Sequence, residues 1–274
     1  MTQRSITFVV AVNNREILAN NFLVSPCLQG KHKHQILIQE GFASASRAYN
    51  NGIDKSANDV IVFAHQDILF AADWITDLER ALNALEETDP DWGILGCYGE
   101  TLNDGGRGYI LSGEQGILGK RFSQPAAVQT LDELVLIMRK SSGIRFDEGL
   151  PGFHLYGTDI CMEAAKRGRK SYAISAFCIH NAAQTVMLPA EFYRGFRYLK
   201  NKWADWLPIQ TTVIRITSSG SQMYKRRIME FYLKHVRRRV NGLYRVPDGR
   251  TLLERYDPNV GAEISAPVEA ARTR

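Results

Sequence analysis

The segment VIVFAHQDILF, residues 60–70, decides how the chain folds. Val60 to Phe63 form an unbroken apolar, mostly β-branched run, and the run leads into His65, Gln66 and Asp67. A run of this kind predicts a strand buried on both faces, as in a parallel sheet covered by helices. In open α/β sheets the carboxyl edge of such strands is where ligands bind. An imidazole and a carboxylate at that edge are candidate ligands, although taken alone these residues also read as a polar cap on a buried strand.

Working outward, SITFVVAVNN (5–14) repeats the pattern: a buried strand ending in Asn13 and Asn14. HQILIQEG (34–41) predicts a second, shorter strand. Residues 43–59 space Ala45, Ala48, Tyr49 and Ile53 as one helix face, with Gly52 placed where the helix would loosen. In residues 72–89, Trp74, Leu78, Leu82 and Leu85 recur at three or four positions, an amphipathic helix. Strand returns in DWGILGCYG (91–99), in TLDELVLIMRKS (130–141) and in SYAISAFCIHN (171–181), which also ends in a histidine, His180. TDICMEAAKRG (158–168) predicts a helix closed by Gly168. Strands alternating with helices predict a three-layer α/β domain with a mostly parallel sheet. Between them, residues 99–125 carry seven glycines and little periodicity. They predict a long functional loop that orders over a ligand, with a surface insertion holding a small hairpin as the alternative.

The chain has 274 residues, 45% hydrophobic and 23% charged, an ordinary globular composition. MTQRSITFVV has no basic stretch followed by a long apolar one, and no segment approaches a membrane span, so a soluble cytoplasmic protein is expected. Cys27, Cys97, Cys161 and Cys178 stand apart, which predicts buried thiols and neither a disulfide framework nor a zinc site. The net charge of +5 is concentrated late in the chain: from Met223 to Arg250 nine Lys or Arg residues meet only Glu230 and Asp248.

In their order and spacing, four stretches resemble the inverting family-2 glycosyltransferases, which have the GT-A (nucleotide-diphospho-sugar transferase) fold. They are TFVVAVNN, SRAYNNGIDKSAND, VFAHQDI in the place of the D-x-D motif, and FDEGLPGFHLYGTDICMEAAKRG. The resemblance covers roughly residues 5–185 and implies a hexosyltransferase-type enzyme with a UDP- or dTDP-sugar donor, a glycan or small-molecule acceptor, and Mn²⁺ or Mg²⁺. It places Val12 and Asn13 against the nucleotide, Gln39 or Glu40 at the base, and Asn50 in the segment before the metal strand. His65 and Gln66 then assist the donor, Asp67 and His180 hold the metal, and Asp159 is the general base. His65 departs from the family's first Asp and holds a cation's charge less well. Thr158 and Asp159 also fit a plain helix start, as N-cap and first-turn acid. His154, Asp132 and Glu133 are reserve candidates for the base.

A nucleotidyltransferase of related fold would open with a glycine-rich phosphate loop, which AVNNREILANN lacks. A non-catalytic nucleotide-sugar-binding module is the alternative from another class. The expected organisation is a GT-A domain over 1–215, a basic helical appendage over 216–258 and a disordered tail over 259–274. Within the appendage, 222–245 predicts an amphipathic helix with Tyr224, Ile228, Phe231, Tyr232 and Val236 on one face. Packing that face on the catalytic domain is the expected arrangement, and peripheral contact with the inner face of an anionic membrane the alternative. No nucleic-acid motif is present, and no nucleic-acid partner is expected.

Overall fold

The structure, a computed structural model, describes residues 4–30, 34–183, 186–238 and 245–256. Its strands are β1 (Ile6–Val12), β2 (Gln35–Glu40), β3 (Val60–His65), β4 (Ile68–Phe70), β5 (Leu95–Gly96), β6 (Tyr98–Glu100), β7 (Gly106–Ser112), β8 (Gly116–Gly119), β9 (Ala126–Val128), β10 (Thr130–Leu131), β11 (Val135–Arg139), β12 (Ser171–Ala173) and β13 (Cys178–His180). The helices are α1 (Arg15–Asn20), α2 (Ala45–Lys55), α3 (Trp74–Thr88), α4 (Tyr156–Lys166), α5 (Ala190–Lys202), α6 (Ser221–His235) and α7 (Arg250–Arg255).

The main sheet has the order β2-β1-β3-β11-β5-β12-β9. Strands β2, β1, β3, β5 and β12 run one way, while β11 and β9 run against them. Alternate residues of a strand face opposite sides, and here both sides are apolar. Val9, Ile61 and Phe63 join α2, α4 and α5 in one core, whereas Phe8, Val10 and Val62 join α1 and α3 in the other. The three-layer α/β expectation is met. All four cysteines are free, and among the described residues no helix is long and apolar enough to cross a membrane.

Gly52 does not loosen α2, which continues to Lys55. It is where the helix touches the sheet, since a Cβ there would lie 2.3 Å from Val9 Cγ1. Gly52→Ala is therefore expected to destabilise. Overpacking a β-branched neighbour costs about 1–3 kcal/mol, against roughly 1 kcal/mol gained in helix propensity. A melting temperature equal to or above the parent's would show that Val9 repacks freely.

Two further expectations are corrected. Residues 99–125 are not one long loop, because β7 lies inside a second sheet of order β10-β6-β7-β13-β4, with β8 folded back on it. The glycines let strands approach, and backbone pairing satisfies the groups a loop would leave to water. Residues 130–141 and 171–181 each break into two strands, one per sheet. The C-terminal part is helical as expected, with α6 and α7, and its described parts pack on the domain. Met223 and Glu230 of α6 are buried, and Leu252, Leu253 and Tyr256 pack on Leu69, Leu111, Phe177 and Ile179. Residues 239–244 and the tail 259–274 lie outside the described residues.

Candidate active site

Topology brings the two histidine-bearing strand ends together. Strand β13 pairs antiparallel with β4 so that His180 faces Ile68, one residue beyond Asp67. The Asn181 N–H then donates to Asp67 O at 2.9 Å. Ligand atoms of His65, Asp67 and His180 all lie within 4.8 Å of one another. His65, expected beside the donor sugar, thus stands with the two expected metal ligands.

The charges are set by this packing. Burial opposes ionisation of Asp67, but His180, His65 and Arg245 outweigh it and hold the carboxyl well below its ordinary range. His65 is pulled down to about 4, by burial first and His180 second, so it is neutral at pH 7. His180 is raised, because Asp67 outweighs its burial, with His180 Nε2 3.4 Å from Asp67 Oδ1. The tautomer of His65 follows from its neighbours. The Tyr156 hydroxyl donates to Glu133 O at 3.1 Å, so His65 Nε2–H is the donor to Tyr156 Oη at 2.7 Å. The Nδ1 lone pair is left for a ligand.

Two imidazoles and an ionised carboxylate at this separation fit a divalent cation, and nitrogen donors favour Mn²⁺ over Mg²⁺. Arg245 was missed by the sequence reading, which left it in the basic segment. Its Nη2 donates to Asp67 Oδ2 at 2.7 Å and its Nε to Asn181 O at 3.0 Å. Asn181, 1% exposed, exchanges both amide groups with Val246, and so fixes the segment that carries Arg245.

A groove of about 380 Å³ lies on one side of this cluster, lined by Val12, Asn13, Gln39, His65, Gln66 and Asp67 among others. Gln66 closes its floor, accepting from the Asn13 and Asn14 N–H groups at 3.1 and 3.0 Å and donating to Asn13 Oδ1 at 2.6 Å. The Gln39 carboxamide bonds to no other described residue. Glu40 is not part of the groove, being forked by Arg15 at 2.8 and 2.6 Å on the surface. Asn50 is not part of it either. Its amide is spent on Phe146 O at 2.9 Å, the Phe146 N–H at 3.0 Å and Glu148 Oε1 at 3.0 Å. Both were expected to bind the donor, and both have structural partners instead.

On the other side is a cavity of about 760 Å³, lined by His65, His180, Asp132, Glu133, His154 and Glu100 among others. Its carboxylates arrive because β11 runs against β3: Val135 pairs with Ala64, and the His65 N–H donates to Leu134 O at 3.1 Å. The lead-in 132–134 therefore lies along the carboxyl end of β3. Glu133 sits against the start of α4, and a Cβ on Gly157 would lie 3.1 Å from its Cγ. Burial, then the neighbouring Asp132, push the Glu133 carboxyl well above its ordinary value, with the Leu155 and Tyr156 N–H groups offsetting only part.

Asp159, the expected base, does not line this cavity. It is 2% exposed, with Lys202 Nζ at 2.8 and 2.9 Å and Trp203 Nε1 at 2.7 Å. Burial works against the Lys202 charge, but Asp159, Asp147 and Glu163 hold the ammonium protonated above its usual range. A carboxylate so engaged joins α4 to the end of α5, away from the residues that line the cavity.

The model of a glycosyltransferase-like family matches residues 7–195, more than half of the chain. A Fuscovulum blasticum protein named "ATP synthase subunits region ORF 6" is 31% identical over 153 residues, 54% of this chain and 61% of that protein. The chain thus spans about three fifths of that relative's length. Among solved structures, S. aureus TarS 1-349 in complex with UDP is similar at 12% identity over 72% of this chain and 65% of its own, TM-score 0.44. A197 from STIV is similar at 13% identity over 63% of this chain and 82% of its own, TM-score 0.40.

Proposed function

The chain belongs to the glycosyltransferase-like family, and on that footing we propose that it moves a sugar from a nucleotide-sugar donor to an acceptor hydroxyl, with inversion. The observation that carries this is the cluster His65, Asp67 and His180, which lies between a groove and a cavity, with the carboxylates Asp132 and Glu133 lining the cavity beside His65. The groove takes the nucleotide: Val12, Asn13 and Gln66 form its wall, and Gln39 offers its free carboxamide to the N–H of a uracil or thymine. His65, Asp67 and His180 would hold a divalent cation, Mn²⁺ ahead of Mg²⁺. When bound, it neutralises the charge growing on the departing diphosphate. Arg245 holds Asp67 by Oδ2, while Oδ1 faces His180. The acceptor enters the cavity, where Glu133 takes the proton of its hydroxyl. Burial first, and Asp132 beside it second, keep the Glu133 carboxyl above its ordinary range. Peripheral contact with a membrane through the basic segment belongs to the same reading.

Titration of UDP affinity with Mn²⁺ tests the donor site. Asp67→Asn is expected to weaken Mn²⁺-dependent UDP binding at least roughly tenfold when measured well below the melting transition, which itself falls because Arg245 and His180 lose a buried partner charge. His180→Ala and His65→Ala act in the same direction. Mn²⁺-independent UDP binding that all three variants retain would sink the metal assignment.

A further inference from the structure

Helix α6 is built the wrong way round for a helix facing water. Its buried residues are Met223 and Glu230. Its outward side carries Tyr224, Ile228, Phe231 and Tyr232, with Val236 just past its end, and Ile228 is 71% and Phe231 65% exposed. The apolar face expected to pack on the domain is the one turned to solvent. The helix's one acid is withdrawn from that surface. Glu230 accepts from the Leu188 N–H at 3.1 Å, the Tyr193 hydroxyl at 2.6 Å and Arg226 Nε at 3.0 Å. What remains outside is apolar and cationic, with Lys225, Arg227, Lys234 and Arg237 alongside the exposed rings.

We infer that α6 is a docking surface for an anionic lipid bilayer, lying in the headgroup plane with its apolar face inserted. This deepens the membrane contact named above by assigning it to one helix face and one lipid charge, and it stands on the α6 geometry whether or not sugar transfer is correct. Its 15 residues span about 22 Å, long enough to lie along a surface and carrying the basic flank that such helices use. A second copy of the chain is the poorer occupant. A two-fold contact through this face would set the same basic residues against themselves, whereas an anionic surface complements them.

The position of α6 fits that occupant. The large cavity shares Glu100, Thr211, Thr212 and Val213 with an open cleft of about 550 Å³ that α6 lines through Gln222, Lys225 and Arg226. It shares Met187 and Leu188 with a groove of about 360 Å³ lined by Arg227, Phe231 and Lys234. Both mouths border the proposed lipid face.

Flotation of the full chain with phosphatidylcholine vesicles, with and without phosphatidylglycerol, tests this. Binding is expected only to the phosphatidylglycerol vesicles and is expected to weaken as salt rises. The double variant Ile228→Asp, Phe231→Asp keeps every basic residue and is expected to lose binding about tenfold or more. Melting temperature serves as the folding control, because both side chains are exposed. Reversal at Lys225→Glu, Arg227→Glu should weaken binding as well. No vesicle binding, equal binding to both vesicle types, or full binding by the double variant would overturn the inference. So would a lipid-free dimer in sedimentation that the double variant abolishes. UDP titration of the unsubstituted chain keeps the two readings apart. UDP binding without vesicle binding removes only the docking surface, and vesicle binding without UDP binding removes only the donor site.

Discussion

Glu133→Gln is expected to lower sugar transfer about 10²–10⁴-fold, the usual cost of losing a general base, while Mn²⁺-dependent UDP binding survives. The amide keeps the shape of the side chain and the contact with the start of α4, but it cannot accept a proton. The pH profile gives an independent check. Transfer requires Glu133 deprotonated, so the rate falls as pH drops through its folded pKa, which burial and Asp132 hold well above the ordinary value near 4.5. Removing the neighbouring charge with Asp132→Asn lowers that pKa and moves the acidic limb to lower pH. Because burial is the larger cause, the limb stays above its ordinary position. Near-normal transfer by Glu133→Gln, or a limb that does not move in Asp132→Asn, would exclude Glu133.

The second large effect is on stability. Asp159→Ala is expected to cost about 3 kcal/mol, as removal of one partner from a buried ion pair does. For a chain of this size that is a fall of roughly 6–12 °C in melting temperature. Trp203 Nε1 loses its acceptor, and Lys202 keeps only Asp147 at 2.7 Å and Glu163 at 2.8 Å. UDP binding measured well below the transition should be near normal. A variant that melts normally but transfers nothing would return Asp159 to the role of base.

Residue type and periodicity by themselves determined the layered architecture. The apolar runs at 6–12 and 60–65 could be satisfied only by burial on both faces, and the three-to-four spacing of Trp74, Leu78, Leu82 and Leu85 only by a helix on that sheet. They also placed His65, Asp67 and His180 at strand ends, because an ionisable group that closes an apolar strand has to come out at an edge.

Only the tertiary structure decided which edge each group shares. Periodicity reports burial and says nothing of strand direction or neighbours. TLDELVLIMRKS reads the same whether its strand runs with β3 or against it, yet only the antiparallel course sets Asp132 and Glu133 beside His65. Asp159 carries the mirror-image lesson. Nothing near it in sequence reveals Lys202 and Trp203, more than forty residues on, whose bonds engage the carboxylate. The same holds for Arg245, 178 residues from the Asp67 it grips. The face of α6 was legible as amphipathic, but whether protein covered it depended on which side Met223 and Glu230 turned inward. Long-range pairing of this kind is settled by how whole elements pack, and no local pattern records it.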